Sequence, residues 1–384
     1  MRVLHITSGN LYGGVEVFLA TLVREASAAP GMEPDVAVCF EGRFSAELES
    51  MGRAPHVLPS PRLSRPHTVL NARHALRDLL QRESYDVVVC HQPWACVMFA
   101  SVVRRAGFPV VMWMHMAGDG KHWLERLCRL SRPDLAVCNS RFTADRTSAW
   151  LPRTSIEHAY CPVSTSKASL GAEERSVLRR SLQTPTDDVV VVQVSRLEAF
   201  KGQYLLLEAL ATLRDLPRWT CWLVGGAQRP IELEYLQRLQ AIARDCGIAD
   251  RIRFTGERGD VGHLLRAADV YCQPNTEPEG FGLSFIEAMG AGLPVVTSGI
   301  GGAREVVNEL CGTLVQPDDV NELSQTIRRL VLDAGLRERL STEARTRASE
   351  LCDPVQQMRR IQALLSGVVV NGPRLERAHA VNVK

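Results

Sequence analysis

Apolar residues along this chain fall into short, nearly unbroken runs, separated by longer stretches where they recur every three or four positions. The runs predict strands at 3–8, 35–39, 86–91, 109–115 and 134–140, and again at 189–195, 219–224, 252–255, 269–273, 294–298 and 312–315. They are rich in Val and apolar on both faces, the pattern of parallel strands covered on each side. Between them the period changes to that of a helix. In 15–28, for example, Val15, Phe18, Leu19, Leu22, Val23 and Ala26 share one face. The stretches 204–213, 231–246 and 320–334 behave alike. Strand–helix alternation of this kind predicts an α/β fold with parallel sheets.

The alternation breaks at 163–187, which is polar and rich in Ser, Thr and Pro. It reads as an interdomain linker with a short helix, and it divides the chain into two α/β halves. A last helical pattern covers 354–365. The tail from Gly367 shows no pattern and is expected to be disordered.

Composition narrows the function classes. The 384 residues carry a formal charge of +2, with 45% hydrophobic and 23% charged residues. That balance gives no electrostatic reason for a nucleic-acid partner. No apolar run approaches the ~18 residues of a membrane span, and the start MRVLHIT lacks the layout of a secretory signal. The expected location is therefore the cytoplasm. Eleven scattered cysteines form no C-x-x-C pair, so they read as small buried hydrophobes rather than a disulfide or zinc framework. Of 45 basic residues only Lys121, Lys167, Lys201 and Lys384 are lysines. The arginine excess fits coding bias, and the scarcity lets each lysine be weighed singly.

Three segments carry candidate chemistry. In NTEPEGFGLSFIEAMGAGLPVV (275–296), Glu279 precedes a Gly-Phe-Gly turn, and Glu287 lies about one and a half turns inside the helix that follows. The unpaired N–H groups of such a helix start bind phosphate, and the two carboxylates would accept hydrogen bonds from hydroxyls of a sugar or ribose. The plainer alternative is that both glutamates serve dipole and solvation needs. In SRLEAFKG (195–202), Arg196 follows a buried strand and Lys201 begins the next helix. Both can reach the carboxyl rim where open α/β sheets bind ligands, and could neutralise a diphosphate. For Arg196 the alternative is a surface salt bridge. GNLYGGVE (9–16) is glycine-rich and opens a helix, but neither it nor any other segment matches a dinucleotide or P-loop pattern.

His115 closes the run VVMWMH at a strand end, as His91 closes VVVCH, and either could equally be a satisfied core histidine. The segment 121–132, KHWLERLCRLSR, could touch an anionic membrane surface, or be an ordinary amphipathic helix. No D-x-D pair occurs, so metal ligation is not expected.

In their order and spacing, the GGVE loop (13–16), the Arg196-x4-Lys201 pair and the Glu279-x7-Glu287 pair resemble retaining GT-B glycosyltransferases of family 4, the glycosyl transferases group 1. The resemblance covers residues 1–365 and is specific for no substrate. It implies two Rossmann-like, doubly wound parallel-sheet domains facing a cleft. Residues 1–165 would bind most of the acceptor, and 166–350 the nucleotide sugar. A helix at 353–366 would rejoin the first domain, leaving 367–384 as tail.

The resemblance also assigns roles. Arg196 and Lys201 would bind the diphosphate. Backbone N–H groups of Gly280, Phe281, Gly282 and Leu283, and the loop at Gly13 and Gly14, would approach the phosphates and donor sugar. Glu279 would bind donor-sugar hydroxyls, Glu287 the ribose, and the base would lie near Gly256, Glu257 and Arg258. His115 would contact the donor sugar near the reacting centre. Glu279, His115, Arg196 and Lys201 are thus the expected catalytic set. The expected reaction is metal-independent, cofactor-free transfer of a hexosyl unit from a UDP- or GDP-sugar to an acceptor hydroxyl, with retention. Acceptors would be a surface glycan, a lipid-linked glycan or a small metabolite, with peripheral membrane contact through the first domain. The alternatives are a nucleotide-sugar epimerase on the same fold and a non-catalytic nucleotide- or sugar-binding module.

Overall fold

A computed structural model describes residues 1–163 and 170–371. The chain forms two compact units, one of Met1–Pro162 with the chain from Pro354 onward, the other Val163–Asp353. The expected boundary at 165/166 lies outside the described residues, as does the tail from residue 372.

The first unit is built on seven parallel strands: β1 (Arg2–Thr7), β2 (Glu33–Val38), β3 (His56–Val57), β4 (Val87–His91), β5 (Val110–Met114), β6 (Leu135–Cys138) and β7 (Ser155–His158). Their order is β3-β2-β1-β4-β5-β6-β7. The second has six: β8 (Val189–Val194), β9 (Trp219–Val224), β10 (Ile252–Gly256), β11 (Val270–Gln273), β12 (Val295–Ser298) and β13 (Gly312–Val315), ordered β10-β9-β8-β11-β12-β13. Both sheets are Rossmann-like. The order reverses between β1 and β4 in one and between β8 and β11 in the other, so at each reversal the crossovers diverge above the carboxyl ends.

The apolar runs explain the centres of these sheets. β4 and β5 are buried at every position, and so is β9. Helices pack over the sheets, with Leu76, Met98 and Phe99 in the core of the first and Leu206, Leu239 and Ile327 in the core of the second. The edge strands β3 and β7 have no apolar run, because an edge strand (SIEH in β7) need not be buried on two faces. All eleven cysteines are free thiols and ten are buried.

Two local readings change. The final helix runs Pro354–Asn371, so Gly367–Asn371, expected to be patternless tail, is helical. A glycine near the end of a long helix costs too little to stop it. Lys201 ends a short 3₁₀ turn, Ala199–Lys201, and the helix proper begins at Gln203.

The polar stretch before β8 is held by two arginines of one helix, Arg175 and Arg179. Arg179, on the helix Ala172–Ser181, is 3% exposed. Its Nε donates to the Ala267 carbonyl at 3.0 Å and its Nη1 to the Asp188 carbonyl at 2.8 Å, while Nη2 meets the Asp269 carboxylate at 2.6 Å. Asp269 also accepts from Arg175 Nη2 at 2.5 Å and from the Val190 N–H at 2.7 Å. Without Arg179, Arg175 keeps Asp269 paired, but the buried Ala267 and Asp188 carbonyls lose a charged donor. Arg179→Met should therefore lower the stability of the second unit by about 1–3 kcal/mol in urea denaturation. An unchanged midpoint would refute the latch.

Candidate functional site

In the second unit the site grows from the reversal between β8 and β11. β8 ends at Val194, and the chain continues through Ser195 and Arg196 into the 3₁₀ turn. β11 ends at Gln273, followed by Pro274, Asn275 and the loop to Glu279. These two loops are fitted to each other. Gly202 has φ +70°, and a Cβ there would stand 1.8 Å from the Pro274 carbonyl oxygen, so only glycine serves. The Thr276 N–H donates to the Phe200 carbonyl at 2.9 Å, and Gln193 Nε2 donates to the Lys201 carbonyl at 2.8 Å.

The fit brings Lys201 to Glu279. Lys201 Nζ donates to Glu279 Oε2, and Asn275 Nδ2 donates to the same oxygen at 3.2 Å. Gln273 Nε2 in turn donates to Asn275 Oδ1 at 2.9 Å. Arg196 makes an ion pair with Glu198 at 3.0 Å, and Glu198 meets Arg229 at 3.1 Å. Gln203 Nε2 holds the Arg196 carbonyl at 2.8 Å. The two expected cations therefore sit in one loop, each balanced by a carboxylate.

Past Glu279, the turn enters the helix Leu283–Gly290 through Gly282, whose φ is +92°. The first N–H groups of that helix have no intrahelical acceptor. The turn is cradled from below: the Gly302 N–H donates to the Glu279 carbonyl at 2.8 Å, and Gly301 pairs with Glu279 as a β-bridge. Glu287, the fifth residue of the helix, is half-buried, and burial pushes its carboxyl up to about 7. Gly256 ends β10 and accepts the Gly225 N–H at 3.0 Å. Glu257 packs under Gly226, and Arg258 forks onto Asp260 at 2.7 Å.

The first unit carries the remaining candidates. Gly13 precedes the helix Gly14–Arg24, and its N–H is taken by Glu16 Oε2 at 3.0 Å. Gly14 is exposed, with open space at its Cβ position. His115 follows β5. It is 9% exposed, its carbonyl accepts from Asn139 Nδ2 at 2.8 Å, and its Nε2 lies 2.8 Å from His91 Nδ1. Burial lowers its imidazole to about 3, so it is neutral at physiological pH.

Sequence reasoning missed Gln273, Asn275, Glu198, Gly301 and Gly302. The signals were present. Buried polar residues close the apolar run of β11 in QPN, and a glycine pair follows β12. Their meaning depends on neighbours distant in sequence.

Residues 174–347 match the family described as glycosyl transferases group 1, and residues 12–167 the family described as glycosyltransferase family 4. The chain is 28% identical to the lipopolysaccharide core biosynthesis glycosyltransferase LpsE of Rhizobium meliloti, over 89% of this chain and 92% of that one. It is 34% identical to a GDP-mannose-dependent alpha-(1-6)-phosphatidylinositol monomannoside mannosyltransferase of Mycolicibacterium smegmatis, over 52% of this chain and 53% of the relative. The chain thus spans about half the length of several curated relatives it matches. Among solved structures, Anabaena Alr3699/HepE in complex with UDP and glucose superposes with a TM-score of 0.84 at 25% identity, covering 95% of this chain and 99% of that one.

The raised Glu287 carboxyl has a consequence for stability. The folded chain holds this proton more tightly than the unfolded chain, whose carboxyl titrates near 4.5. Its contribution is full below that value and is lost as pH rises through about 7. Glu287→Gln, neutral throughout, should gain thermal stability relative to the unaltered protein between about pH 5 and about pH 8. Parallel melting curves for the two proteins across that range would show that the carboxyl is not buried as described.

Proposed function

This chain belongs to the family 4 glycosyltransferases, and on that premise we propose that it moves a hexosyl unit from a UDP- or GDP-sugar to an acceptor hydroxyl, with retention and without a metal. What carries the reading is the meeting of Lys201 and Glu279 at the β8/β11 reversal, with Arg196 in the same loop as Lys201, ahead of a helix start with Glu287 inside it. Two placed cations and a helix N-terminus offer the charge stabilisation that a divalent ion gives elsewhere. Lys201 and Arg196 would exchange their carboxylate partners for the diphosphate, Glu279 would turn to sugar hydroxyls and Glu287 to the ribose. Backbone groups of Gly280–Leu283 and Gly14 would approach the phosphates, and the base would lie near Gly256, Glu257 and Arg258. His115 would hydrogen-bond the donor sugar as a neutral imidazole.

In the reaction, the bond from the anomeric carbon to the phosphate oxygen breaks as the acceptor oxygen bonds to the same face. The acceptor proton passes to the leaving phosphate. Relatives named for GDP-mannose and a neighbour solved with UDP support the two nucleotides. Relatives named for lipopolysaccharide core and phosphatidylinositol mannoside support a surface-glycan or lipid-linked acceptor.

A membrane-borne acceptor suits a further feature. The helix Trp123–Ser131 exposes Trp123, Leu127 and Leu130 on one side, flanked by exposed Lys121, Arg126 and Arg129. Such a face would lie in the headgroup layer of an anionic, cytoplasmic leaflet. No helix among the described residues is long and apolar enough to cross a membrane.

Two measurements test these statements. In a thermal-shift panel, the matching nucleotide diphosphate at 100-fold its Kd adds about 2.7 kcal/mol. Lys201→Ala should lose that shift and, with a donor that is turned over, about 10²–10³ in kcat. Silence across the panel sinks the donor reading, and turnover without any acceptor would favour an epimerase. In vesicle sedimentation, the chain should bind phosphatidylglycerol-containing vesicles, and Arg126→Glu with Leu130→Ser should abolish binding. Equal binding to neutral phosphatidylcholine vesicles, or none to either, removes the membrane face.

A further inference from the structure

Three imidazoles run in a row through the first unit, one from each of three neighbouring strands. His5 lies in β1, His91 ends β4 and His115 follows β5. His5 Nδ1 is 3.0 Å from His91 Nε2, and His91 Nδ1 is 2.8 Å from His115 Nε2. Phe18 and Trp113 pack against the row, with Phe18 5.2 Å from the His115 ring and Trp113 stacked on His91. All three rings are buried, His115 the least. Burial lowers each of them, His5 and His115 to about 3, so all are neutral at physiological pH. The backbone beside the middle ring is fixed in an unusual state, since Gln92 has φ +70° without being glycine.

A neutral imidazole carries one N–H. Two hydrogen bonds along three rings are both made only when every ring carries its proton on the same nitrogen. Two orders satisfy this, all Nδ1–H or all Nε2–H. The far end separates them, because His5 Nε2 is buried with no hydrogen-bond partner among the described residues. In the Nε2–H order that atom would be an orphaned N–H, a costlier and rarer state than a bare acceptor nitrogen. The Nδ1–H order leaves the last proton on His115 Nδ1, at the least buried end of the row.

We infer that His5 and His91 are positioning residues that hold His115 in its Nδ1–H form, so that its open edge is a hydrogen-bond donor. Resting on the transferase reading, the donor's target is an oxygen of the transferred sugar, and His115 takes no proton during the reaction. The row makes the middle ring decisive. His91→Asn can still donate from its amide to His115 Nε2 and keep the order, whereas His91→Phe fills the space and cannot.

The test uses the full chain labelled with ¹⁵N-histidine, the His115 signals being assigned by their loss in His115→Gln. We expect an Nδ1–H pattern for His115, retained in His91→Asn. In His91→Phe it should shift toward the Nε2–H form, with kcat for the nucleotide sugar that is turned over down about 10²-fold, the order lost with one positioned donor. Affinity for the nucleotide diphosphate should stay within twofold in both. An Nε2–H pattern for His115 in the unaltered chain overturns the inference, as does an unchanged pattern in a folded His91→Phe. If His91→Phe does not fold, the pattern in the unaltered chain and in His91→Asn still decides. Failure of the unaltered chain to turn over any nucleotide sugar would fell the transferase reading, while the spectra would continue to report on the row alone.

Discussion

A strand covered on both faces has few ways to join a sheet. Each connection must climb back over the sheet, so neighbouring strands run parallel and their carboxyl ends gather at one edge. In this chain that constraint acts twice, and nearly all the chemistry follows from it. Arg196, Lys201, Gln273, Asn275 and Glu279 leave the second sheet at its carboxyl edge, where β8 and β11 are adjacent while their crossovers diverge. Toward the same edge of the first sheet, His5 inside β1, His91 at the end of β4 and His115 after β5 line up.

What the edge assembles differs between the two units. In the second it is charge: Lys201 with Glu279, Arg196 with Glu198, and Arg229 beyond. These pairs keep cations in a half-buried loop without a basic surface, which agrees with the near-zero net charge. In the first it is neutral polarity: imidazoles stripped of their charge by burial and joined to each other rather than to carboxylates.

The central strands were legible because burial on two faces writes itself into four or five consecutive residues, as in VVVCH and VVMWM. β3 and β7 were not, since edge strands need no such run. Arg196, Lys201, Glu279 and Glu287 were legible because each pair lies within nine residues, with a helix start to order it. Gln273, Asn275, Gly301 and Gly302 were not, because they touch Glu279 or its loop only through the register of β11 and β12. His5 is a lone polar residue inside an apolar strand, and nothing local tells that its partner stands on β4, eighty-six residues away.

The contact of Gly202 with Pro274 has a mechanical meaning. With no room for even one methyl group between them, and with the Phe200–Thr276 bond beside them, the loop after β8 and the loop after β11 form one splint. A pull on the Lys201 ammonium cannot swing its own loop alone; it must carry Pro274, and with it the segment leading to Glu279. Cation and carboxylate are thus spaced by backbone against backbone, and not only by their attraction for each other. Were a ligand to break the ion pair, the two groups would stay near each other, each facing whatever part of the ligand had come between them.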